Sequence, residues 1–288
     1  MNRIPKTEIS VSPVTLGTMT FGSPVAFDDA VKLTQYALSH GINHTDTANM
    51  YEGYNRVAGS AGGVAEEIVG AAIHGMPRGS VIVSTKVGMK VGSEPEDEGT
   101  SAKAIEKQLN ASLKRLRTDY IDLYYLHRFD GNVSQEEILR ALQKAVYAGK
   151  IRYYGVSNYS AEQLRALLTA ADELNLPRPV VCQPPLSMLK QDALTELIPL
   201  CAAEDIAVIP YQIYQGGLLT GKYQRGMEPP KGSRAEEKPA WLASPDDALY
   251  DKLEAIEAGA KSRGISMSAY ALRWTLQQPA AVSAIAAR

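Results

Sequence analysis

Four side chains that can carry or move a proton stand at or just beyond the ends of predicted strands: Asp46, Tyr51, Lys86 and His127. A free phenol titrates near ~10 and is a poor acid at neutral pH. A lysine ammonium beside Tyr51 would stabilise the phenolate, lower the pKa of the phenol and make it a usable proton donor. Asp46 would keep Lys86 charged, and His127 could donate to, or orient, an oxygen held between itself and Tyr51. Such a site binds a carbonyl oxygen and protonates it as negative charge develops.

Each of these residues also has an ordinary structural interpretation. A lysine at a strand end commonly extends to water, a single histidine is often a hydrogen-bonded core residue, and Asp46 could serve in a turn or a helix cap. Unpaired charges buried together are costly, however, so we expect Asp46 and Lys86 to pair, and such groupings mark active sites. The site has no activated serine or cysteine nucleophile and no electron source, so a reduction would need a bound hydride donor.

Strand-like and helix-like segments alternate along the chain and predict how these side chains are positioned. The strand candidates are residues 14–19, 42–48, 81–87, 121–127, 153–158, 180–184, 207–212 and 282–286. Between them apolar residues recur at helical spacing. Eight such repeats predict an α/β protein with one (β/α)8 TIM-barrel domain over residues 1–288. The rival, a doubly wound open sheet, usually has a G-x-G-x-x-G turn, which this sequence lacks.

In such a barrel the reacting groups lie at the carboxyl ends of the strands. The fifth to seventh strand candidates end in the polar or amphipathic residues Ser157, Asn158, Gln183 and Tyr211. We therefore expect these side chains to converge on the same mouth as Asp46, Tyr51, Lys86 and His127.

Three segments do not fit a bare barrel. Residues 3–12 predict a short hairpin before the first barrel strand, placed so that it plugs the bottom. Residues 212–245 form a long connection rich in proline, glycine and charge after the seventh strand, and loops of that length are usually functional or disordered. The sequence stops at Arg288, directly after the eighth strand, so we expect either a barrel without its final helix or a chain that continues further.

The composition excludes several classes of function. A net charge of -2 gives no electrostatic reason to expect nucleic acid or an anionic membrane as a partner. The N-terminus has no signal-peptide core and no run approaches ~18 apolar residues, which predicts a cytoplasmic protein. Cys182 and Cys201 lie in apolar segments and are expected to be buried, reduced thiols. The spacing of histidines and cysteines predicts no metal site.

The motifs together resemble the aldo-keto reductase family over essentially the whole chain. The matching segments, in order, are "LGTMTFG" (16–22), "DTANMYEG" (46–53), "EEIVGAAI" (66–73), "STK" (84–86), "SLKRLRTDYIDLYYLH" (112–127), "AGKIRYYGVSNYS" (148–160), "GGLLTGKY" (216–223) and "SAIAAR" (283–288). The resemblance is to the bacterial branch that begins with "LGTMTFG". It implies a (β/α)8 oxidoreductase that binds NADPH extended across the barrel mouth and reduces a small carbonyl compound, such as a sugar or an aldehyde.

The resemblance also implies a role for each matching residue. Asp46, Tyr51, Lys86 and His127 match the family's catalytic tetrad, with Tyr51 as general acid. Ser157, Asn158 and Gln183 match residues that hydrogen-bond the nicotinamide carboxamide, and Tyr211 matches the ring that stacks on the nicotinamide. Gly217, Leu218 and Lys222 match the loop that meets the pyrophosphate. Arg288 falls where the family places a cation near the adenosine 2′-phosphate, and a planar guanidinium suits a phosphate.

Two other functions compete with carbonyl reduction. The first is an NADPH-binding, redox-sensing regulatory subunit with little turnover, which is compatible with the unusual "PPLSM" after Gln183 and with the abrupt end of the sequence. The second is a barrel aldolase in which Lys86 forms a Schiff base, for which the lysine should be neutral and unpaired. A homo-oligomer is compatible with the sequence.

Overall fold

Eight parallel strands form a barrel in the computed structural model, which describes residues 1–242 and 246–287. Two strands, β1 (Asn2–Arg3) and β2 (Ser10–Val11), form a separate hairpin. The eight barrel strands are β3 (Val14–Gly17), β4 (His44–Asp46), β5 (Ile82–Val87), β6 (Ile121–Leu126), β7 (Ile151–Ser157), β8 (Val181–Gln183), β9 (Ala207–Val208) and β10 (Ala284–Ala286). The barrel order is β10-β3-β4-β5-β6-β7-β8-β9.

The sheet closes between β9 and the chain that enters β10. Val208 pairs with Ala281 in a parallel bridge. The amide of Val282 donates to the Val208 carbonyl at 3.1 Å, and that of Ile285 donates to the Pro210 carbonyl at 2.9 Å. The predicted (β/α)8 architecture is therefore confirmed.

Helices pack around the barrel between successive strands. They are α1 (Phe27–Ser39), α2 (Val64–Ile73), α3 (Ala102–Leu116), α4 (Gln135–Tyr147), α5 (Ala161–Glu173), α6 (Leu197–Ala203), α7 (Arg234–Glu237), α8 (Asp247–Lys261) and α9 (Met267–Leu276). In α3, for example, Ser101 caps the first turn by accepting from the Ala104 amide, and Ile105 and Leu109 are buried against the sheet. Within the described ranges, no helix combines the length and apolar character that crossing a membrane requires.

The register of the strands brings polar side chains into one layer at the carboxyl end of the barrel. Asp46 pairs with Ser84, Lys86 pairs with Tyr125, and Ser157 pairs with Gln183. Successive side chains along a strand point to opposite faces. Residues such as Val83 and Val87 therefore pack in the helix-facing apolar cluster, while Ser84 and Lys86 face the interior.

The N-terminal hairpin closes the opposite end, as predicted. Strands β1 and β2 pair antiparallel, and Ile4 and Ile9 are buried in one cluster with Ile82 and Val181. The amide of Ser12 donates to the side chain of Asn43, just before β4 begins. The hairpin therefore plugs the end of the barrel at which the strands start.

The long connection after β9 is partly folded. It contains a 3₁₀ segment at Gln215–Thr220, the short helix α7, a 3₁₀ turn at Pro239–Trp241 and helix α8. Leu218 and Leu219 pack here with Leu253 of α8, so apolar burial holds the connection over the barrel. The sequence predicted its length and position but not these helices.

Both cysteines are buried and free, as the sequence predicted. Cys182 lies on β8 and Cys201 lies on α6, and neither side chain is exposed. They pack within the same apolar cluster between the sheet and its helices.

Candidate active site

A buried ion pair lies at the centre of the barrel mouth. Nζ of Lys86 is 2.5 Å from Oδ1 of Asp46 and donates to the Thr47 carbonyl at 2.8 Å. Burial acts to lower the pKa of Lys86, but the Asp46 charge and the hydrogen bonds to Asp46 and Tyr51 act in the opposite direction, and that pKa is raised above its ordinary value. The predicted pairing is confirmed. The lysine stays protonated and lacks the free electron pair that an aldolase needs for a Schiff base.

Tyr51 lies against this pair, in the loop after β4. Its ring centroid is 5.1 Å from Nζ of Lys86 and 5.9 Å from the ring of His127, which it meets edge-on at 80°. Burial raises the pKa of Tyr51 above its ordinary value, while the Lys86 ammonium opposes that shift. The expectation that Lys86 brings the pKa of Tyr51 below that of a free phenol is therefore wrong, because burial outweighs the ammonium. The consequence is a phenol that stays protonated at neutral pH.

His127 follows β6 and is a neutral imidazole. Burial, reinforced by the charges of Lys86 and Arg128, holds its pKa well below the ordinary value. Its Nδ1 atom is buried and has no hydrogen-bond partner among the described residues. An unpaired buried N–H is rarer than an unpaired buried acceptor, so Nδ1 carries the lone pair and Nε2 carries the proton. His127 can thus donate one hydrogen bond from Nε2.

A cavity of about 430 Å³ opens beside Asp46 and Tyr51, whereas Lys86 and His127 lie behind its lining. Asp46, Tyr51, Gln183, Tyr211, Gly217 and Lys222 all contribute to its lining. The cavity therefore extends from the proposed acid toward a lysine on the loop after β9. Ser157 and Asn158 do not line it, but they touch residues that do.

The residues predicted at the tips of β7, β8 and the chain after β9 are linked to one another. Oγ of Ser157 donates to the Gln183 carbonyl at 2.9 Å. Asn158 adopts a left-handed backbone (φ 57°), donates to the His127 carbonyl at 2.9 Å and accepts from the Tyr211 hydroxyl at 2.7 Å. Nε2 of Gln183 donates to Oδ2 of Asp46 at 2.9 Å. The strand tips thus form one hydrogen-bonded wall.

The three predicted positions on the loop after β9 differ in placement. Gly217 has a positive φ of 98°, and a Cβ there would lie 2.4 Å from Cε of Lys222, so the lysine lies directly over the glycine. The side chain of Leu218 is buried in the apolar cluster and does not line the cavity. Arg288 lies outside the described residues.

Arg234, at the start of α7, was missed by the sequence analysis and lines the same cavity. Its guanidinium lies 5.6 Å from the ring centroid of Tyr54 and 5.9 Å from that of Trp241. These two rings meet edge-on at 5.4 Å. The only sequence signal was a cation in "KGSR" within a long irregular connection.

The residues of this cavity fit a nicotinamide dinucleotide. The half-buried Tyr211 ring offers a flat surface beside Tyr51 for a nicotinamide, and burial raises the pKa of that tyrosine to about 12. Lys222 and Arg234 place two cations near the backbone of Gly216 and Gly217, an arrangement suited to a pyrophosphate. Within residues 1–242 and 246–287, no three histidine, cysteine or acidic side chains cluster as metal ligands would.

Comparison with known proteins agrees with this geometry. The model described as "Aldo/keto reductase family" matches residues 13–287. The chain is 34% identical to a "Probable voltage-gated potassium channel subunit beta" of Arabidopsis thaliana, over 97% of this chain and 84% of that protein. It is 32% identical to an uncharacterized oxidoreductase of Bacillus subtilis, over 95% and 82%. A glycerol dehydrogenase structure from Gluconobacter oxydans superposes with a TM-score of 0.81 at 30% identity, covering 99% and 85% of the two chains.

Proposed function

The chain belongs to the aldo/keto reductase family, and on that premise we propose that it uses NADPH to reduce an aldehyde or ketone to an alcohol, with Tyr51 as general acid. Membership makes it an NAD(P)H-dependent oxidoreductase. The observation that carries the finer proposal is the Tyr51 ring, set 5.1 Å from Nζ of Lys86 and 5.9 Å from the His127 ring at the edge of the cavity. The substrate class is a sugar or a small aldehyde.

The protein's residues act on the oxygen of the substrate. When bound, the nicotinamide supplies a hydride to the carbonyl carbon. Nε2–H of His127 donates a hydrogen bond to the carbonyl oxygen, and Tyr51 transfers its proton to that oxygen as negative charge develops. The phenolate left on Tyr51 is stabilised by the protonated Lys86. Asp46 holds that lysine in place through the 2.5 Å ion pair.

Other residues hold the cofactor in this proposal. Tyr211 stacks on the nicotinamide, and the wall of Ser157, Asn158 and Gln183 hydrogen-bonds its carboxamide. The pyrophosphate lies against the loop after β9, and its contacts are Gly217, Leu218 through its backbone, Lys222 and Arg234. Arg288 binds the 2′-phosphate that distinguishes NADPH from NADH, because a guanidinium fork holds two phosphate oxygens.

Multiple-turnover oxidation of NADPH tests the proposal. The purified protein is mixed with a panel of sugars and small aldehydes, with NADH in parallel, and cofactor absorbance is followed. We expect many turnovers per protein molecule with at least one carbonyl and faster reaction with NADPH than with NADH. Fewer than one turnover per molecule with every carbonyl would contradict a reductase.

A second candidate is an NADPH-binding regulatory subunit with little turnover. It is favoured by the 34% identity to the Arabidopsis protein, whose name describes a potassium channel subunit. The same assay separates the two candidates when it is combined with a fluorescence titration. Tight NADPH binding without multiple turnover would support the regulatory subunit.

A further inference from the structure

A chain of hydrogen bonds crosses the barrel interior and ends on Asp46. Oγ of Ser84 donates to Oδ2 of Asp46 at 2.8 Å. Nε2 of His44 lies 3.0 Å from that serine oxygen, and Nδ1 of His44 lies 2.8 Å from Oγ1 of Thr15. Oγ of Ser283 lies 2.7 Å from Thr15. All five side chains are buried, so no water competes for these contacts.

The direction of every bond follows from the carboxylate at the end. An ionised carboxylate only accepts hydrogen bonds, so the Ser84 hydroxyl donates to Asp46 at 2.8 Å in preference to the Thr45 carbonyl, which lies farther away at 3.3 Å. Ser84 therefore accepts from His44, which places the imidazole proton on Nε2. Nδ1 of His44 must then accept from Thr15, and Thr15 in turn accepts from Ser283. Each donor in the chain points toward Asp46.

The charge state of His44 agrees with this direction. Burial, aided by the charge of Lys86, lowers the pKa of His44 to about 4, against the opposing charges of Asp46 and Asp122. The imidazole is therefore neutral at pH 7, with one donor and one acceptor. A protonated ring would have no acceptor to offer Thr15.

Polar residues are an unusual choice for this interior. Buried polar groups cost free energy unless they are hydrogen-bonded, and neighbouring interior positions of the same barrel are apolar, as at Ile82, Leu123 and Val181. An apolar filling of similar volume would hold the strands together without that cost. The polar chain is explained if the orientation of the Asp46 carboxylate, at its end, has to be fixed.

We propose that His44 and Ser84 are positioning residues for carbonyl reduction, which orient the Asp46 carboxylate so that Lys86 stays beside the Tyr51 phenol. The inference rests on the proposed function, because it assigns these residues to the same reaction. Asp46 accepts from Lys86, Ser84 and Gln183. Without Ser84 the carboxylate keeps only its contacts with Gln183 and Lys86, so its orientation, and with it the position of the lysine beside the phenol, is less firmly fixed.

Steady-state kinetics of matched variants test the role. We expect Ser84→Ala to lower kcat about tenfold, a modest change in barrier, with KM and NADPH affinity within about twofold of the parent. Ser12→Ala is the control, because it removes another buried serine hydroxyl, bonded to the Val14 carbonyl at 2.6 Å. It is expected to leave kcat unchanged. An unchanged kcat in Ser84→Ala, or an equal loss in Ser12→Ala, would overturn the proposal.

Two substitutions at His44 separate the effect of its N–H donor from the effect of its size. His44→Gln can keep an N–H donor toward Ser84, whereas His44→Leu removes it. We expect kcat of the glutamine variant to stay within about threefold of the parent, and the leucine variant to match Ser84→Ala. An equal loss of kcat in the glutamine and leucine variants would mean that the N–H donor of His44 does not affect the reaction.

The histidine ring of the unmodified protein gives a readout that does not depend on activity. In ¹⁵N-histidine-labelled protein, the His44 ring should be neutral and protonated on Nε2 between about pH 5 and pH 8, with His44→Gln serving to assign its signals. A proton on Nδ1, or a charged ring at pH 6, would refute the chain.

These outcomes distinguish this inference from the proposed function. If Tyr51→Phe turns over like the parent, the general-acid role fails while the His44 tautomer stands. If Tyr51→Phe is inactive and Ser84→Ala is unaffected, only the positioning role fails.

Discussion

The neutral, buried His44 should make the protein less stable in acid, and His44→Gln should remove that dependence. Burial is the largest cause of the lowered pKa of about 4, while Asp46 and Asp122 act against it and Lys86 acts with it. In the unfolded chain the same imidazole titrates at its ordinary value of 6.5. Between pH 4 and pH 6.5 the His44 imidazole is therefore protonated in the unfolded chain and neutral in the folded protein.

The sign and size follow from that difference. Because the unfolded state binds more protons, the free energy of unfolding rises with pH between 4 and 6.5, and the contribution is fully present above 6.5. The difference is 6.5 − 4 = 2.5 pH units, and each unit corresponds to about 1.4 kcal/mol. His44 should therefore account for a loss of about 3 kcal/mol as the pH falls from 7 to 4.

Urea unfolding at a series of pH values measures this loss. At each pH the free energy of unfolding of His44→Gln is subtracted from that of the parent, which cancels His127 and the other titrating groups. We expect the difference to be constant above pH 7 and to fall by about 3 kcal/mol by pH 4. A difference independent of pH would show that His44 titrates normally in the folded protein and would refute the burial argument.

Three further predictions concern the cofactor site. Lys222→Ala and Arg234→Ala should each weaken the binding of NADPH and of NADH by about tenfold in a fluorescence titration, because each removes a cation from the proposed pyrophosphate contact. A loss of affinity for NADPH alone would place that cation at the 2′-phosphate. Gly217→Ala should lower the free energy of unfolding or of cofactor binding by about 1–3 kcal/mol, since φ is 98° and the added Cβ meets Lys222 at 2.4 Å. An unchanged melting temperature together with an unchanged NADPH affinity would contradict this. Trp241→Ala should speed NADPH release in stopped-flow experiments, because the Trp241 ring lies against Arg234 and the Tyr54 ring and so holds the arginine in place. An unchanged release rate would show that the Trp241 ring does not position Arg234.

Most of the barrel was predictable because its elements carry local signals. Short apolar runs alternate with helical spacing, and each predicted strand overlaps an observed one. The pairing of Asp46 with Lys86 followed from the cost of burying either charge alone. The hairpin at the bottom also followed from its position before the first barrel strand.

Other features depend on distances that the sequence does not contain. Which residues of β4 and β5 face each other is set by the closed barrel, so the contacts of Ser84 with His44 and Asp46 could not be read from "HTD" and "STK". The balance between burial and the Lys86 charge at Tyr51 depends on the depth of the phenol. Arg234 reaches the cavity because a long irregular connection folds back over the mouth.

The most direct test of the account is a single-turnover measurement with Tyr51→Phe, which removes only the phenolic hydroxyl. Excess protein loaded with NADPH is mixed with a carbonyl that the parent reduces, and cofactor oxidation is followed in a stopped-flow instrument. The account predicts that NADPH binds the variant with nearly the parent's affinity while oxidation falls by at least about a hundredfold, the usual size of a lost general acid. Oxidation at the parent's rate would contradict the assignment of Tyr51 as the proton donor.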